Sequence, residues 1–152
     1  MYQGNLTEAI TSAKALLNSD ADTLLKFRAK IGLVNIFAIN QNWTEGLSTL
    51  SSVLTELPII NDKKTYHLAL IVTAIFYNQL GQYNLGLSYA KQVELTSTQG
   101  RDSCIAKSHI IKSSFKLKLI TSASPIINHA ISLCRINNEH LYISLINSYV
   151  AK

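Results

Sequence analysis

Residues 77–90, which read YNQLGQYNLGLSYA, decide the fold because they repeat the pattern of residues 37–50, FAINQNWTEGLSTL. In both stretches an aromatic residue near the end of one helical segment is followed by a polar turn and by a second aromatic that opens the next segment. A glycine stands three positions later, and the second aromatics, Trp43 and Tyr83, are 40 residues apart. Self-similarity at a fixed spacing predicts a repeat of helical hairpins.

Hydrophobic periodicity predicts helices along nearly the whole chain. The predicted segments are 6–17, 23–40, 43–57, 64–80, 83–96, 102–119, 125–137 and 139–151. Because the connections are short, consecutive helices must pack antiparallel. With only 6 Gly and 2 Pro, the sequence has few of the residues that tight β-turns need. The predicted fold class is all-α, with antiparallel helical hairpins stacked as an α–α superhelix in a single domain over residues 1–152.

Five residues of the repeat have predicted packing roles. Gly46 and Gly86 are expected to let the two helices of a pair approach closely. Trp43 and Tyr83 are expected to fill the wedge between successive pairs. Gly81 is expected to end the helix before the turn.

Residues 75–93 resemble the tetratricopeptide repeat (TPR), and the turn Leu80-Gly81-Gln82-Tyr83 carries the resemblance. Pro58 stands where that family has its closing proline, whereas Gln41-Asn42 replaces the turn glycine in the earlier unit. Residues 77–152 also resemble the repeat-containing sensor region found ahead of diguanylate cyclase (GGDEF) domains in bacteria. This resemblance implies a signalling protein with an exported, periplasmic sensor, a membrane helix and a cytoplasmic cyclase, of which this chain is the sensor.

The resemblance implies a non-catalytic sensory or protein-interaction module that captures a peptide or protein segment on its first helices. A cytoplasmic TPR scaffold or adaptor is the alternative. A pocket between helix pairs with polar lining would instead favour a small-molecule ligand. The GGDEF motif, phosphate loops, nucleophile elbows and paired carboxylates are all missing from the sequence, so we expect no catalytic residues and no cofactor.

Aromatic and basic residues are the candidate contacts for a partner. Tyr66, Phe76 and Tyr77 could line a groove, although wedge packing explains them equally well. The lysines of the sixth predicted helix, Lys107, Lys112, Lys116 and Lys118, could bind an acidic partner or nucleic acid. We favour a solvated helix face, and nucleic acid ranks last among the partners because arginine is nearly missing from this helix.

Cys104 and Cys134 lie on consecutive predicted helices, at similar heights in an antiparallel hairpin. A disulfide is therefore geometrically possible, but two small buried thiols are an equal alternative. Export would favour the bond and a cytoplasmic location would not.

The remaining features concern metals, membranes and the chain ends. Metal-ligand spacing is missing among the four histidines, so we expect half-exposed helix residues and no metal; they are His67, His109, His129 and His140.

The longest apolar run, residues 68–77, is too short to span a bilayer, so membrane contact is expected only through missing segments of a larger parent protein. We expect the chain to be a fragment, with an uncovered stripe that favours a homodimer through the open repeat ends; this stripe comprises Leu141, Leu145, Ile146 and Tyr149.

Overall fold

The computed structural model describes residues 2–151, with side chains from Gly4 onward, and these residues form an all-α structure. Its helices are α1 (Tyr2–Leu17), α2 (Thr23–Ile39), α3 (Trp43–Glu56), α4 (Lys63–Gln79), α5 (Tyr83–Glu94), α6 (Gly100–Lys116), α7 (Pro125–Ile136) and α8 (His140–Val150). A single 3-10 turn, Leu57–Ile59, follows α3 at Pro58. Neighbouring helices pack mostly as adjacent antiparallel pairs. The all-α prediction is confirmed.

Most helix boundaries agree with the sequence prediction to within a few residues. Helix α1 begins at Tyr2 rather than Leu6. Helix α6 begins at Gly100, which has a φ of +87° that few other residues adopt. Ser124 occupies the N-cap position of α7, but its hydroxyl accepts a hydrogen bond from the Thr121 N–H at 3.0 Å instead of capping the helix.

The chain divides into two compact units, and the boundary lies inside α4. The N-terminal unit, residues 1–72, has a core built on α2 and α3 that includes Phe27, Val34 and Val53. The C-terminal unit, residues 73–152, has a core cluster that includes Ile111 and Ile146. The single domain over residues 1–152 stays a prediction.

The turns that close four hairpins share one hydrogen-bonding pattern. In each, one residue with positive φ follows the helix, and the next N–H bonds back to a carbonyl five residues earlier; this is the Schellman motif. The positive-φ residues are Gln41, Gly81, Lys118 and Asn138. The returning bonds are Asn42 to Phe37, Gln82 to Tyr77, Leu119 to Ser114 and Glu139 to Cys134, at 2.8–2.9 Å. Gln41 therefore adopts the conformation that glycine adopts at the equivalent Gly81.

Gly86 packs against the preceding helix of its own hairpin. A Cβ atom added to Gly86 would lie 2.0 Å from Oδ1 of Asn78 on α4. That oxygen accepts a hydrogen bond from the Ser113 hydroxyl at 2.8 Å, which ties α4 to α6. Gly86 is required here because Asn78 is buried and occupies the space that a side chain would need.

The other predicted packing residues lie on the second helices of their hairpins. Trp43 and Tyr83 are the first residues of α3 and α5, and both are half-buried. Gly46 is buried on α3. The wedge role of Trp43 and Tyr83 and the close helix approach at Gly46 stay predictions.

Helix α6 lies at the centre of the C-terminal unit, in contact with α5, α7 and α8. It buries polar residues as well as apolar ones, including Ser103, Ser108, Ser113 and Ser114. The Ser108 hydroxyl donates to the Ile105 carbonyl of the same helix at 2.7 Å, and the Ser113 hydroxyl, which contacts Asn78 Oδ1, also lies 2.9 Å from the His109 carbonyl. Because such bonds satisfy the hydroxyl locally, serine can be buried in a helix at little cost.

No helix within residues 2–151 combines the length and the apolar character needed to cross a bilayer.

Candidate functional site

Helices α6 and α8 run parallel, side by side, in the C-terminal unit. Three contacts occur in the same order along both helices. They join Arg101 with Glu139 through an ion pair, the ring of His109 with the ring of Tyr142 at 6.5 Å, and Lys112 Nζ with the ring centre of Tyr149 at 5.7 Å. Since α7 connects them, α6 and α8 are alternate helices of the array. We call the surface formed by Lys112, Lys116, Tyr142 and Tyr149 the α6–α8 face.

The α6–α8 face carries positive charge without an acidic partner. Within the part of the chain that the structure describes, neither Lys112 nor Lys116 forms an ion pair. Burial lowers the pKa of Lys112, and the nearby charge of Lys116 lowers it further. Lys112 is half-buried and lies over the Tyr149 ring, in a cation–π contact. The face therefore combines two ammonium groups with aromatic surface.

Lys107 does not belong to this surface, although it lies on the same helix. Its ammonium group forms an ion pair with Glu94 of α5, and only 12% of its side chain is exposed. Lys118 lies beyond α6, in the turn, with positive φ. The basic surface considered from the sequence thus loses Lys107, while Lys112 and Lys116 remain on α6 and Lys118 is exposed in the turn that follows.

His109 is buried where α6 meets α8, and both of its ring nitrogens are without a hydrogen-bond partner in the described residues. Burial, together with the charge of Lys112, lowers the pKa of His109 to about 4. The imidazole is therefore neutral near pH 7. Half-exposure was the wrong expectation for His109 and for His67, which are 8% and 1% exposed.

At His109 the reason for this error is that α6 is in contact with three other helices, α5, α7 and α8, which the spacing along one helix does not show. The other two histidines, His129 and His140, are exposed. Among residues 2–151, no group of three His, Cys, Asp or Glu side chains could hold a metal ion.

We expect His109 to make stability depend on pH between about 6.5 and 4. The unfolded chain takes up a proton on this histidine near pH 6.5, whereas the folded chain resists protonation until about pH 4. Stability is thus lost as the pH falls. The free energy of unfolding should drop by about 2 kcal/mol between pH 7.5 and pH 5.

Urea denaturation at both pH values measures this effect. His109→Leu should flatten the dependence, while His129→Leu, at an exposed position on α7, should leave it unchanged. Equal pH dependence in the His109 variant and the wild type would show that His109 is not responsible.

The aromatic residues considered for a groove differ in burial, and a groove that includes Tyr66 and Tyr77 stays a prediction. Phe76 is fully buried, which agrees with a packing role, the other explanation that the sequence offered, and not with a place in a groove. Tyr77 is half-buried and stacks on Tyr89 across the α4–α5 hairpin, with ring centres 5.7 Å apart. Tyr66 is half-buried and belongs to the N-terminal unit, whereas Tyr77 belongs to the C-terminal unit.

The stripe expected to be uncovered on α8 is divided between core and surface. Ile146 is fully buried in the cluster with Cys104 and Ile111, because α8 turns this side toward α6 and α7. Leu141 is 66% exposed, while Leu145 and Tyr149 are half-buried. Homodimer formation through the chain ends stays a prediction.

A disulfide joins Cys104 of α6 to Cys134 of α7, with the Cα atoms 5.0 Å apart. Both cysteines are fully buried in the core cluster of the C-terminal unit. Of the alternatives that the sequence leaves open, the structure contains the bonded one. The bond fixes α7 against α6, the helix that carries Lys112 and Lys116.

An open cleft of about 350 Å³ lies in the N-terminal unit between α1, α2 and α3. Each helix contributes the residues of one of its sides. They are Lys14 and Leu17 on α1, Lys30, Leu33 and Phe37 on α2, and Glu45, Ser48, Thr49 and Ser52 on α3. Sequence reasoning missed this cleft because periodicity alone does not show which stripes of different helices face one another.

Both lysines of the cleft contact carboxylates. The Lys30 ammonium donates to the Ser52 hydroxyl at 2.9 Å and forms an ion pair with Glu56. Lys14 Nζ lies 3.9 Å from Glu45 Oε2, and more than half of each side chain is exposed. The Lys30–Glu56 pair is held firmly, whereas the Lys14–Glu45 pair is loose.

The chain has no match among protein-family models, curated proteins or solved structures.

Proposed function

We propose that this chain is a non-catalytic sensory and protein-interaction module of the TPR-like kind, which binds a protein segment on its α6–α8 face. The observation that carries the proposal is the parallel packing of the alternate helices α6 and α8. In a superhelix of helical hairpins, the first helices of successive pairs lie side by side in this way and form the binding surface. The Schellman turns, repeated from hairpin to hairpin, support the same architecture.

The chemistry of the face favours an acidic segment as the partner. Lys112 and Lys116 supply two positive charges one helical turn apart, and no carboxylate within the described residues neutralises them. Tyr142 and Tyr149 supply aromatic surface of the kind enriched in protein interfaces. The Tyr149 ring is covered by Lys112, so it is less suited to stacking on a nucleic-acid base. A peptide with acidic and apolar residues therefore fits better than an oligonucleotide.

The face is also supported by rigid structure. The disulfide holds α6 and α7 together, and buried Ile146 anchors α8 to the same cluster. Binding on a rigid surface requires little reorganisation.

The resemblance to the sensor region of diguanylate cyclase proteins extends the proposal to a bacterial signalling protein with a periplasmic sensor. The Cys104–Cys134 bond supports export because disulfides persist in oxidising compartments. A cytoplasmic scaffold or adaptor, the alternative, would use the same face.

Selection from a random peptide display library on the disulfide-intact protein tests this function. We expect enriched peptides to be acidic and to lose about tenfold or more in affinity when Lys116→Glu reverses one charge of the face. Lys116 is exposed, so this change should leave the fold intact.

The matched control is Lys91→Glu, since Lys91 is also exposed and lies on α5 of the same unit. Equal binding of a peptide to Lys116→Glu and Lys91→Glu would show that the peptide binds outside the α6–α8 face. Failure to enrich any peptide, together with salt-sensitive binding of a single-stranded oligonucleotide, would favour nucleic acid instead.

A further inference from the structure

The cleft between α1, α2 and α3 has an apolar floor and a rim that carries both signs of charge. Leu33 and Phe37 form the floor, and each is only 3% exposed, so the floor is part of the packed core. Lys14, Lys30 and Glu45 stand around it, together with hydroxyl groups of α3. This lining suits a ligand that has an apolar body and both a positive and a negative group.

The volume of the cleft limits the size of the ligand. At about 350 Å³ it lies at the small end of ligand pockets, which suits a molecule of roughly ten non-hydrogen atoms. A long acyl chain would not be covered, and a peptide would extend beyond the rim. A small metabolite with a compact apolar group is the class that remains.

The charged groups of the rim are arranged to exchange partners. Lys14 and Glu45 are 3.9 Å apart and well exposed, so water screens their attraction and separating them costs little. The Lys30 ammonium has three N–H donors, of which Ser52 and Glu56 use two. Lys14 and the third donor of Lys30 can therefore bind a carboxylate, while Glu45 accepts from an ammonium group.

We infer that this cleft binds a free α-amino acid with an apolar side chain. The amino acid's carboxylate lies between Lys14 and Lys30, its ammonium group contacts Glu45, and its side chain covers Leu33 and Phe37. A simple carboxylic acid fits less well because Glu45 would be left facing it unpaired. The site lies wholly in the N-terminal unit, so this inference is independent of peptide binding at the α6–α8 face.

Titration of the ¹⁵N-labelled full chain with L-leucine and L-phenylalanine, followed by amide chemical shifts, tests this site. We expect saturable shifts confined to α1, α2 and α3, with a Kd on the order of 1 mM or lower. Leucine amide, which lacks the carboxylate, and 4-methylpentanoic acid, which lacks the ammonium group, should each bind about tenfold more weakly. Glycine, which lacks the apolar side chain, should not bind measurably.

Glu45→Gln should weaken leucine binding about tenfold, and Lys14→Gln should do the same. Both positions are exposed, so the variants should fold normally. Glu8→Gln, an exposed change on α1 outside the cleft, should bind as the wild type does. The inference would be overturned by shifts that do not saturate, by 4-methylpentanoic acid binding as tightly as leucine, or by full binding in Glu45→Gln.

Discussion

Reduction of the Cys104–Cys134 disulfide is expected to lower the free energy of unfolding by about 3–4 kcal/mol. The bond closes a loop over a sequence separation of 30 residues, which restricts the unfolded chain far more than the folded one. Both cysteines are buried in the cluster that α6, α7 and α8 share, so the reduced thiols would remain there as small apolar groups. The loss should therefore come mainly from the greater entropy of the unfolded state.

Urea denaturation with and without a phosphine reductant measures this loss. The double variant Cys104→Ala, Cys134→Ala serves as the control, because its midpoint should be low and should not respond to the reductant. Equal midpoints for the oxidised and reduced wild type would show that the disulfide does not stabilise the fold. Because the α6–α8 face is built on these helices, we also expect peptide affinity to fall under the same reducing conditions.

Gly86→Ala is expected to destabilise the protein by about 3 kcal/mol. The new Cβ would lie 2.0 Å from Oδ1 of Asn78, a distance at which the Asn78 side chain has to move. Asn78 is buried and accepts a hydrogen bond from Ser113, so its movement combines overpacking with the loss of a buried bond. Thermal or urea unfolding would measure the effect.

The same contact provides its own control through a double-mutant cycle. In an Asn78→Ala background the obstacle is gone, and Gly86→Ala should become neutral or stabilising because alanine favours the helix. Gly32→Ala is a second control, since nothing lies within 4 Å of the added Cβ; it should stabilise α2 by about 1 kcal/mol. A Gly86→Ala variant as stable as the wild type would show that α4 and α5 do not pack as closely as described.

The two proposed binding sites lie in different compact units, so each can be tested without disturbing the other. Lys116→Glu should reduce peptide binding and leave leucine binding unchanged. Glu45→Gln should reduce leucine binding and leave peptide binding unchanged. A variant that affects both would indicate a general loss of structure rather than the loss of one site.

The helices and their turns could be predicted from the sequence because both depend on neighbouring residues. Hydrophobic spacing located all the helices of the described chain, and Gly81 marked a turn that needs positive φ. The glycine at position 86 also carried information, because only a small residue permits the close approach of α4 and α5. Gln41 shows the limit of such signals, since it adopts positive φ without being glycine.

Tertiary structure alone decided which side chains are buried and which surfaces are open. His109 is buried because α6 contacts α5, α7 and α8, and Phe76 is fully buried on α4. An ion pair with Glu94 removes Lys107 from the basic surface. The cleft between α1, α2 and α3 could not be predicted from the sequence either. Its residues come from three helices, and the sides that face one another depend on how these helices pack. Sequence spacing determines the stripe that a helix presents, but burial and ion pairing depend on the elements packed against that stripe.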